Sequence, residues 1–110
     1  MRTATITRVT KETNIALTLD LEGGPSTIDI PSGFFSHMLE AVARHADVAL
    51  NLKAKGDVHV DLHHTIEDIG IVFGQAIKEA LADKKGITRY GLAKIPMDEC
   101  LVEVSLDICN

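Results

Sequence analysis

One segment near the N-terminus constrains the fold more than any other, because its large apolar side chains recur at every second position. From Ile15 to Leu21, aliphatic residues alternate with Ala16, Thr18 and Asp20. Side chains of a β-strand point alternately to its two faces, so this strand has one buried face and one face in water. The chain must therefore form a sheet that other elements cover on one side.

The spacing of apolar residues along the rest of the chain predicts the other elements. Strands are predicted where apolar residues alternate, and helices where they recur every three or four positions. The predicted strands are residues 3–9, 15–21, 26–30, 49–55, 58–60 and 100–106, and the predicted helices are residues 34–44 and 64–82. This order, β-β-β-α-β-β-α-β, lacks the regular alternation of a parallel doubly wound sheet. We therefore predict one α+β domain over residues 1–110, with a mixed or antiparallel sheet that carries two helices on one face.

The composition excludes several classes of partner. The chain has a net charge of −5 and no cluster of Lys or Arg, which argues against nucleic acid. No apolar run reaches membrane-spanning length, and the N-terminus lacks the apolar core of a signal peptide. Cys100 and Cys109 are predicted on opposite faces of one strand, where they cannot easily bridge. We therefore predict a cytoplasmic protein with reduced thiols and with neither a nucleic-acid nor a membrane partner.

The candidate chemistry is concentrated in five histidines, which all fall between His37 and His64. Residues four apart on a helix share a face, so His63 and Glu67 can bind one metal ion. His64 lies about 100° around the helix from His63 and cannot join that ion without distortion, so the geometry suits a dinuclear site or two separate mononuclear sites. Imidazole and carboxylate ligands suit Mn, Fe, Co or Zn. The alternative is a polar helix start, in which Glu67 is stabilised by the helix dipole.

The remaining histidines leave alternatives open. His37 lies among apolar residues of the first predicted helix, where it is either a hydrogen-bonded core residue or a further metal ligand. His45 ends the same helix and could equally cap the negative end of its dipole. His59 alternates with two valines and is predicted to be a surface residue. Both cysteines are far from these histidines in the sequence, so a thiolate-type structural zinc site is not expected.

Six motifs along the chain occur together in one known family. In order, they are residues 8–13 (RVTKET), 34–39 (FFSHML), 56–57 (GD), 63–70 (HHTIEDIG), 85–91 (KGITRYG) and 96–99 (PMDE). The sequence thereby resembles the front half of imidazoleglycerol-phosphate dehydratase, a lyase of histidine biosynthesis, over essentially its whole length. The resemblance implies one half of a two-half fold (ribosomal protein S5 domain 2-like), with a four-stranded sheet backed by two helices in each half.

The resemblance also implies a dinuclear manganese site. His63 and Glu67 would bind one Mn ion, and His37 and His64 would bind the other. In the family these ions lie at subunit interfaces of a 24-subunit octahedral homo-oligomer. The metals would act on the imidazole of the substrate, imidazole glycerol phosphate, while water is removed from its glycerol chain.

Individual residues receive roles from the same motifs. Those implied to take part in catalysis are Glu12, His37, His64 and Glu67. Those implied to contact the substrate are Glu12, His37, His45, His63, His64, Glu67 and Arg89. Glu12 and the segment from His37 to His45 would contact the substrate, and Arg89 would bind its phosphate.

The sequence departs from the family pattern in three respects. Many relatives have Asp where this chain has Ser36, at a position that would orient His37. The last motif usually reads Asp-x-Ser-Gly-Arg, but residues 107–110 read DICN and no phosphate-binding Arg follows. A second His-His-x-x-Glu motif is also absent. We therefore expect a truncated or half-length chain that is inactive alone. The alternatives are a self-complementing metal-binding half and a non-catalytic structural or oligomerising fragment.

Overall fold

The computed structural model describes residues 1–109. In chain order, the elements are β1 (Thr3–Val9), β2 (Thr13–Asp20), β3 (Thr27–Asp29), α1 (Gly33–Ala46), β4 (Ala49–Gly56), α2 (His63–Leu81), β5 (Tyr90–Met97) and β6 (Cys100–Asp107). The first four strands form one sheet in the order β1-β2-β4-β3, while β5 and β6 form a separate two-stranded hairpin. The sheet is mixed, because β3 pairs with β4 in parallel and the other pairs are antiparallel.

The alternation along β2 places its aliphatic side chains on the covered face of the sheet. Leu17 stands opposite Leu52 of β4, and Leu19 stands opposite Leu50. All four are at most 2% exposed, and they pack in one core with residues of both helices. Helix α1 packs on β3 and β4, and α2 packs on β1, β2 and β4. The prediction of a four-stranded sheet with two helices on one face is therefore confirmed.

Local signals set the ends of the helices. Ser32 precedes α1, and its hydroxyl accepts a hydrogen bond from the backbone N–H of Phe35 at 3.1 Å, which satisfies an otherwise free donor of the first turn. Asp47 ends α1 in the left-handed conformation, with φ of 55°. At the start of α2, the Asp61 carboxylate accepts from the backbone N–H of His63 at 2.8 Å. Neither helix of residues 1–109 is long and apolar enough to cross a membrane.

Two predictions about the strands were wrong. Residues 58–60 form an exposed turn rather than a strand, because the backbone N–H of Val60 bonds back to the Asp57 carbonyl at 2.9 Å and directs the chain into α2. Strand β5 was not predicted from the sequence. Lys94 and Pro96 interrupt its apolar pattern, and its strand conformation is set by pairing with β6.

The β5–β6 hairpin has one apolar face. Its register places four cross-strand pairs of small or apolar residues on that face: Gly91 with Leu106, Ala93 with Val104, Ile95 with Val102, and Met97 with Cys100. Every residue of both strands is exposed. Within residues 1–109, no other strand or helix contacts the hairpin. We call the four-stranded sheet with α1 and α2 the body, and the hairpin is separate from it.

Candidate functional site

The first turn of α2 brings His63 and Glu67 together. The Nε2 atom of His63 lies 3.1 Å from Oε2 of Glu67, and both side chains are more than half exposed. The four-residue spacing on one helix face accounts for this contact. An imidazole nitrogen and a carboxylate oxygen therefore converge at one accessible point on the surface.

The next residue, His64, faces a different partner. Its Nδ1 atom lies 2.7 Å from Oδ2 of Asp57, which follows the end of β4. The rings of His63 and His64 are nearly perpendicular, at 85°, with centroids 5.4 Å apart. Adjacent helical residues diverge by about 100°, which accounts for the two directions. The two histidines thus contact different carboxylates, and whether they serve two metal ions stays a prediction.

The His64–Asp57 hydrogen bond shifts both ionisation equilibria. It lowers the pKa of the Asp57 carboxyl from its ordinary value, and it raises the pKa of the His64 imidazole. The negative charge of Glu12, in the turn between β1 and β2, also raises the pKa of His64. Glu12 is thus a predicted site residue outside α2 whose charge affects the pKa of His64.

A buried polar contact joins the β1–β2 turn to α2. The Thr13 hydroxyl donates to Oδ2 of Asp68 at 2.6 Å, and Nε of Arg8 lies 3.4 Å from Oδ1 of the same carboxylate. The turn itself is closed by Thr10, whose hydroxyl accepts from the backbone N–H groups of Glu12 and Thr13. Because Asp68 is one turn beyond His64, this contact holds Glu12 on the side of the body where α2 begins.

Gly56 permits the close approach of β4 to α2. An ideal Cβ at this position would lie 1.9 Å from Oγ1 and 3.1 Å from Cβ of Thr65, so Thr65 would have to move. Thr65 is 1% exposed and follows His64 directly. The absence of a side chain at Gly56 therefore lets the end of β4 bring Asp57 against His64.

The other predicted residues lie apart from this cluster. His37 is exposed on α1, and it takes no part in the contacts of His63, His64 or Glu67 described above. His45 is also on α1, where Nδ1 donates to the Ala41 carbonyl one turn earlier in the same helix at 2.8 Å. In the part of the chain that the structure describes, no three His, Cys, Asp or Glu side chains are grouped as a metal site.

Arg89 lies at the base of the separate hairpin. Its Nε and Nη2 atoms donate to the two carboxylate oxygens of Asp107 at 2.5 and 3.1 Å. This hydrogen bonding raises the pKa of the guanidinium and lowers that of the Asp107 carboxyl. Arg89 thus pairs with a residue of the divergent final motif, whose last member, Asn110, lies outside the described residues.

The sequence reading did not assign a role to Asp57 or Asp68. In the sequence, Asp57 belongs only to the short Gly-Asp motif, and its pairing with His64 depends on a tertiary contact. Asp68 could have been found from its position, because a carboxylate beside Ile69 in the apolar stripe of a helix needs a buried partner.

Comparison with known proteins supports one family. Residues 31–110 match the family model of imidazoleglycerol-phosphate dehydratase. The dehydratase of Acidiphilium cryptum is 58% identical over 108 residues, which cover 97% of this chain and 55% of that protein. The dehydratase of Xanthobacter autotrophicus is 59% identical over 109 residues, which cover 98% and 55%.

A solved structure supports the same assignment. The crystal structure of the Staphylococcus aureus dehydratase superposes with a TM-score of 0.82 and 38% identity, over 96% of this chain and 57% of that one. The chain thus spans about half the length of the relatives it matches. With its fold, its motifs and these similarities in agreement, the chain belongs to the imidazoleglycerol-phosphate dehydratase family.

Proposed function

We propose that this chain supplies part of the active site of a cytoplasmic, metal-dependent hydro-lyase. The reaction removes water from imidazole glycerol phosphate and gives imidazole acetol-phosphate, a step of histidine biosynthesis. Membership of the family supports the reaction, while the 55% coverage of the relatives limits the chain to part of the machinery. The observation that carries the proposal is the divergence at the start of α2, where His63 meets Glu67 and His64 meets Asp57.

The side chains at the start of α2 fit a divalent metal of the manganese type. His63 and Glu67 present a nitrogen and an oxygen at one exposed point, and this donor pair suits Mn, with Fe, Co or Zn as alternatives. Since no third donor of residues 1–109 joins them, we propose that the remaining ligands come from elsewhere in the full protein or from a neighbouring subunit. When bound, the metal supplies Lewis acidity and a template that orients the substrate.

A second ion would be held through His64 and His37, which lie on different helices. Neither side chain is grouped with enough further metal donors within the described residues, so we expect the chain alone to bind this ion weakly and the assembled protein to supply the missing ligands. That requirement favours a homo-oligomer in which sites form between subunits, and the 24-subunit octahedral arrangement remains our expectation. His45, near the end of α1, would contribute to the substrate-binding surface beside His37.

Glu12 and Arg89 would act on the substrate directly. The Glu12 carboxylate acts electrostatically on His64 and is exposed, so we propose that it hydrogen-bonds a hydroxyl of the glycerol chain. Dehydration breaks one C–H and one C–O bond, and a carboxylate of this kind can move the proton that the reaction requires. Arg89 would bind the phosphate, and it would have to exchange its contact with Asp107 for one with the substrate.

The exposed apolar face of the β5–β6 hairpin favours a second candidate function. A sheet face that carries Ile95, Val102, Val104 and Leu106 in water is typical of a surface that another protein segment covers. On this alternative, the chain is a non-catalytic oligomerising fragment, or a half that pairs with a second copy and completes its metal sites.

Metal binding and turnover distinguish these candidates. We would titrate Mn²⁺ into the chain and follow the free ion by electron paramagnetic resonance, and measure the mass of the complex by light scattering. His63→Ala and Glu67→Ala should weaken Mn²⁺ binding, whereas His59→Ala, a change at an exposed histidine outside both pairs, should leave it unchanged. Equal binding by all four proteins would contradict the proposed site.

Turnover would be measured with imidazole glycerol phosphate and Mn²⁺, both with the chain alone and after addition of the part of the Acidiphilium cryptum dehydratase beyond the matched region. We expect product only in the mixture, and we expect His64→Ala to abolish it. Product formed by the chain alone would support the self-complementing half. An oligomer that binds no Mn²⁺ and gives no product in either case would support the structural fragment.

A further inference from the structure

The two adjacent histidines of α2 contact carboxylates through different ring nitrogens, so a different nitrogen is available to a ligand in each. Glu67 lies against Nε2 of His63, whereas Asp57 lies against Nδ1 of His64. An ionised carboxylate can only accept hydrogen bonds, so the proton of a neutral His64 ring lies on Nδ1. The lone pair available to a ligand is then on Nε2, and the ring keeps 44% of its side chain exposed.

The surroundings of Asp57 leave its carboxylate few partners other than His64. Its side chain is only 13% exposed, and its Oδ1 atom is buried without a hydrogen-bond partner in residues 1–109. Its carbonyl accepts from the backbone N–H of Val60, which closes the turn around it. Because a buried carboxylate needs hydrogen bonds, the 2.7 Å contact to Nδ1 of His64 favours one placement of the two side chains.

The preceding residue makes this arrangement possible. Gly56 leaves room for Thr65, the residue that follows His64, to approach the end of β4. The contact between Asp57 and His64 therefore joins the end of β4 to the first turn of α2, two parts of the chain that pack together closely.

We propose that Asp57 is the positioning residue of His64: its carboxylate fixes the Nδ1–H tautomer and the ring orientation, so that Nε2 is presented to the metal ion. This inference rests on the proposed function of His64 as a ligand. A carboxylate that accepts from the second nitrogen of a ligating histidine orients the ring and increases its basicity. The sequence motif alone gives Asp57 no such role, since it stands outside the His-His-x-x-Glu run.

The tautomer of His64 tests the positioning without any metal. Long-range ¹H–¹⁵N correlation spectra of the metal-free chain, recorded above the titration range of histidine, report which ring nitrogen carries the proton. We expect the proton on Nδ1 in the wild type and the loss of this preference in Asp57→Ala. A wild-type ring that carries its proton on Nε2 would overturn the inference, whether or not any variant folds.

The affinity for Mn²⁺ tests the consequence for the ligand. Asp57→Ala should weaken Mn²⁺ binding by about 10- to 100-fold, and Asp57→Asn should weaken it less because its amide oxygen can still accept from Nδ1. The matched control is Asp29→Ala, which removes an exposed carboxylate of β3 and should leave the affinity unchanged. Thermal unfolding of each variant shows whether the body remains folded.

The outcomes separate this inference from the function on which it rests. Wild-type binding of Mn²⁺ that is unchanged in a folded Asp57→Ala variant would overturn the positioning role and leave the metal site intact. If the wild type carries the proton on Nδ1 but binds no Mn²⁺, the ligand role of His64 is refuted. Asp57 would then orient His64 without positioning a metal ligand.

Discussion

Replacing Thr13 by Val should destabilise the body, because it removes a hydrogen bond to the buried carboxylate of Asp68. The Thr13 hydroxyl donates to Asp68 at 2.6 Å, and the two residues are only 4% and 8% exposed. Val has nearly the same shape, so the main change is the loss of one donor to a buried charge. A hydrogen bond to a charged group contributes about 1.5–3 kcal/mol. Since Arg8 remains 3.4 Å from the other oxygen of Asp68, we expect a loss of about 2 kcal/mol in the free energy of unfolding.

The assay is equilibrium unfolding in urea, followed by far-ultraviolet circular dichroism because the chain has no Trp. The same loss should lower the melting temperature by roughly 10 °C in a domain of this size. Thr18→Val is the matched control: it makes the same change in the same strand, at a hydroxyl that meets Thr5 on the exposed face of the sheet at 3.1 Å. An equal effect of the two substitutions would refute the argument that burial of the Asp68 charge makes the Thr13 hydrogen bond strong.

Two further predictions concern close packing and charge. Gly56→Ala should lower the free energy of unfolding by about 3 kcal/mol, the upper end for overpacked sites, because its Cβ would clash with Thr65. Adding Thr65→Ala to this variant should recover part of the loss. If urea unfolding shows that the effects of the two substitutions simply add, the proposed clash is contradicted. The pairing with Arg89 lowers the pKa of the Asp107 carboxyl from its ordinary value of 3.8. The ion pair therefore stabilises the hairpin fully above pH 3.8, and this stabilisation is lost as the pH falls through the lowered pKa. Arg89→Gln should return the pKa of Asp107 towards 3.8 in a carboxyl titration by NMR, and an unchanged midpoint would show that the guanidinium is not the cause.

The parts of the fold that depend on local pattern could be predicted from the sequence. The alternation that begins at Ile15 gave the one-sided sheet, and the four-residue spacing of His63 and Glu67 gave their contact, because both follow from the repeat of a single element. The strand expected at residues 58–60 was wrong for a related reason: three alternating residues carry too little periodic signal to outweigh a turn.

The parts that depend on tertiary packing could not be predicted in this way. The contact between Asp57 and His64 requires the end of β4 to lie against the first turn of α2, and the sequence shows only a Gly-Asp pair before a loop. Strand β5 is similar, because Pro96 and Lys94 weaken its own pattern and its conformation comes from β6. The roles of His37, His45 and Arg89 stay predictions, since within residues 1–109 these side chains do not join the contacts of His63, His64 and Glu67.

The isolation of the β5–β6 hairpin has a consequence for the heat capacity of unfolding. An isolated two-stranded hairpin is marginally stable in water, and its apolar side chains are exposed in the folded chain as well. Residues 90–107 therefore add little to the surface that becomes exposed when the body unfolds. The heat-capacity change of unfolding and the slope of the unfolding free energy against denaturant both scale with the surface that unfolding exposes. Both should therefore be smaller than the values expected for a chain of 110 residues that unfolds as one cooperative unit. A segment that covers the hairpin would increase both quantities by joining it to the cooperative unit.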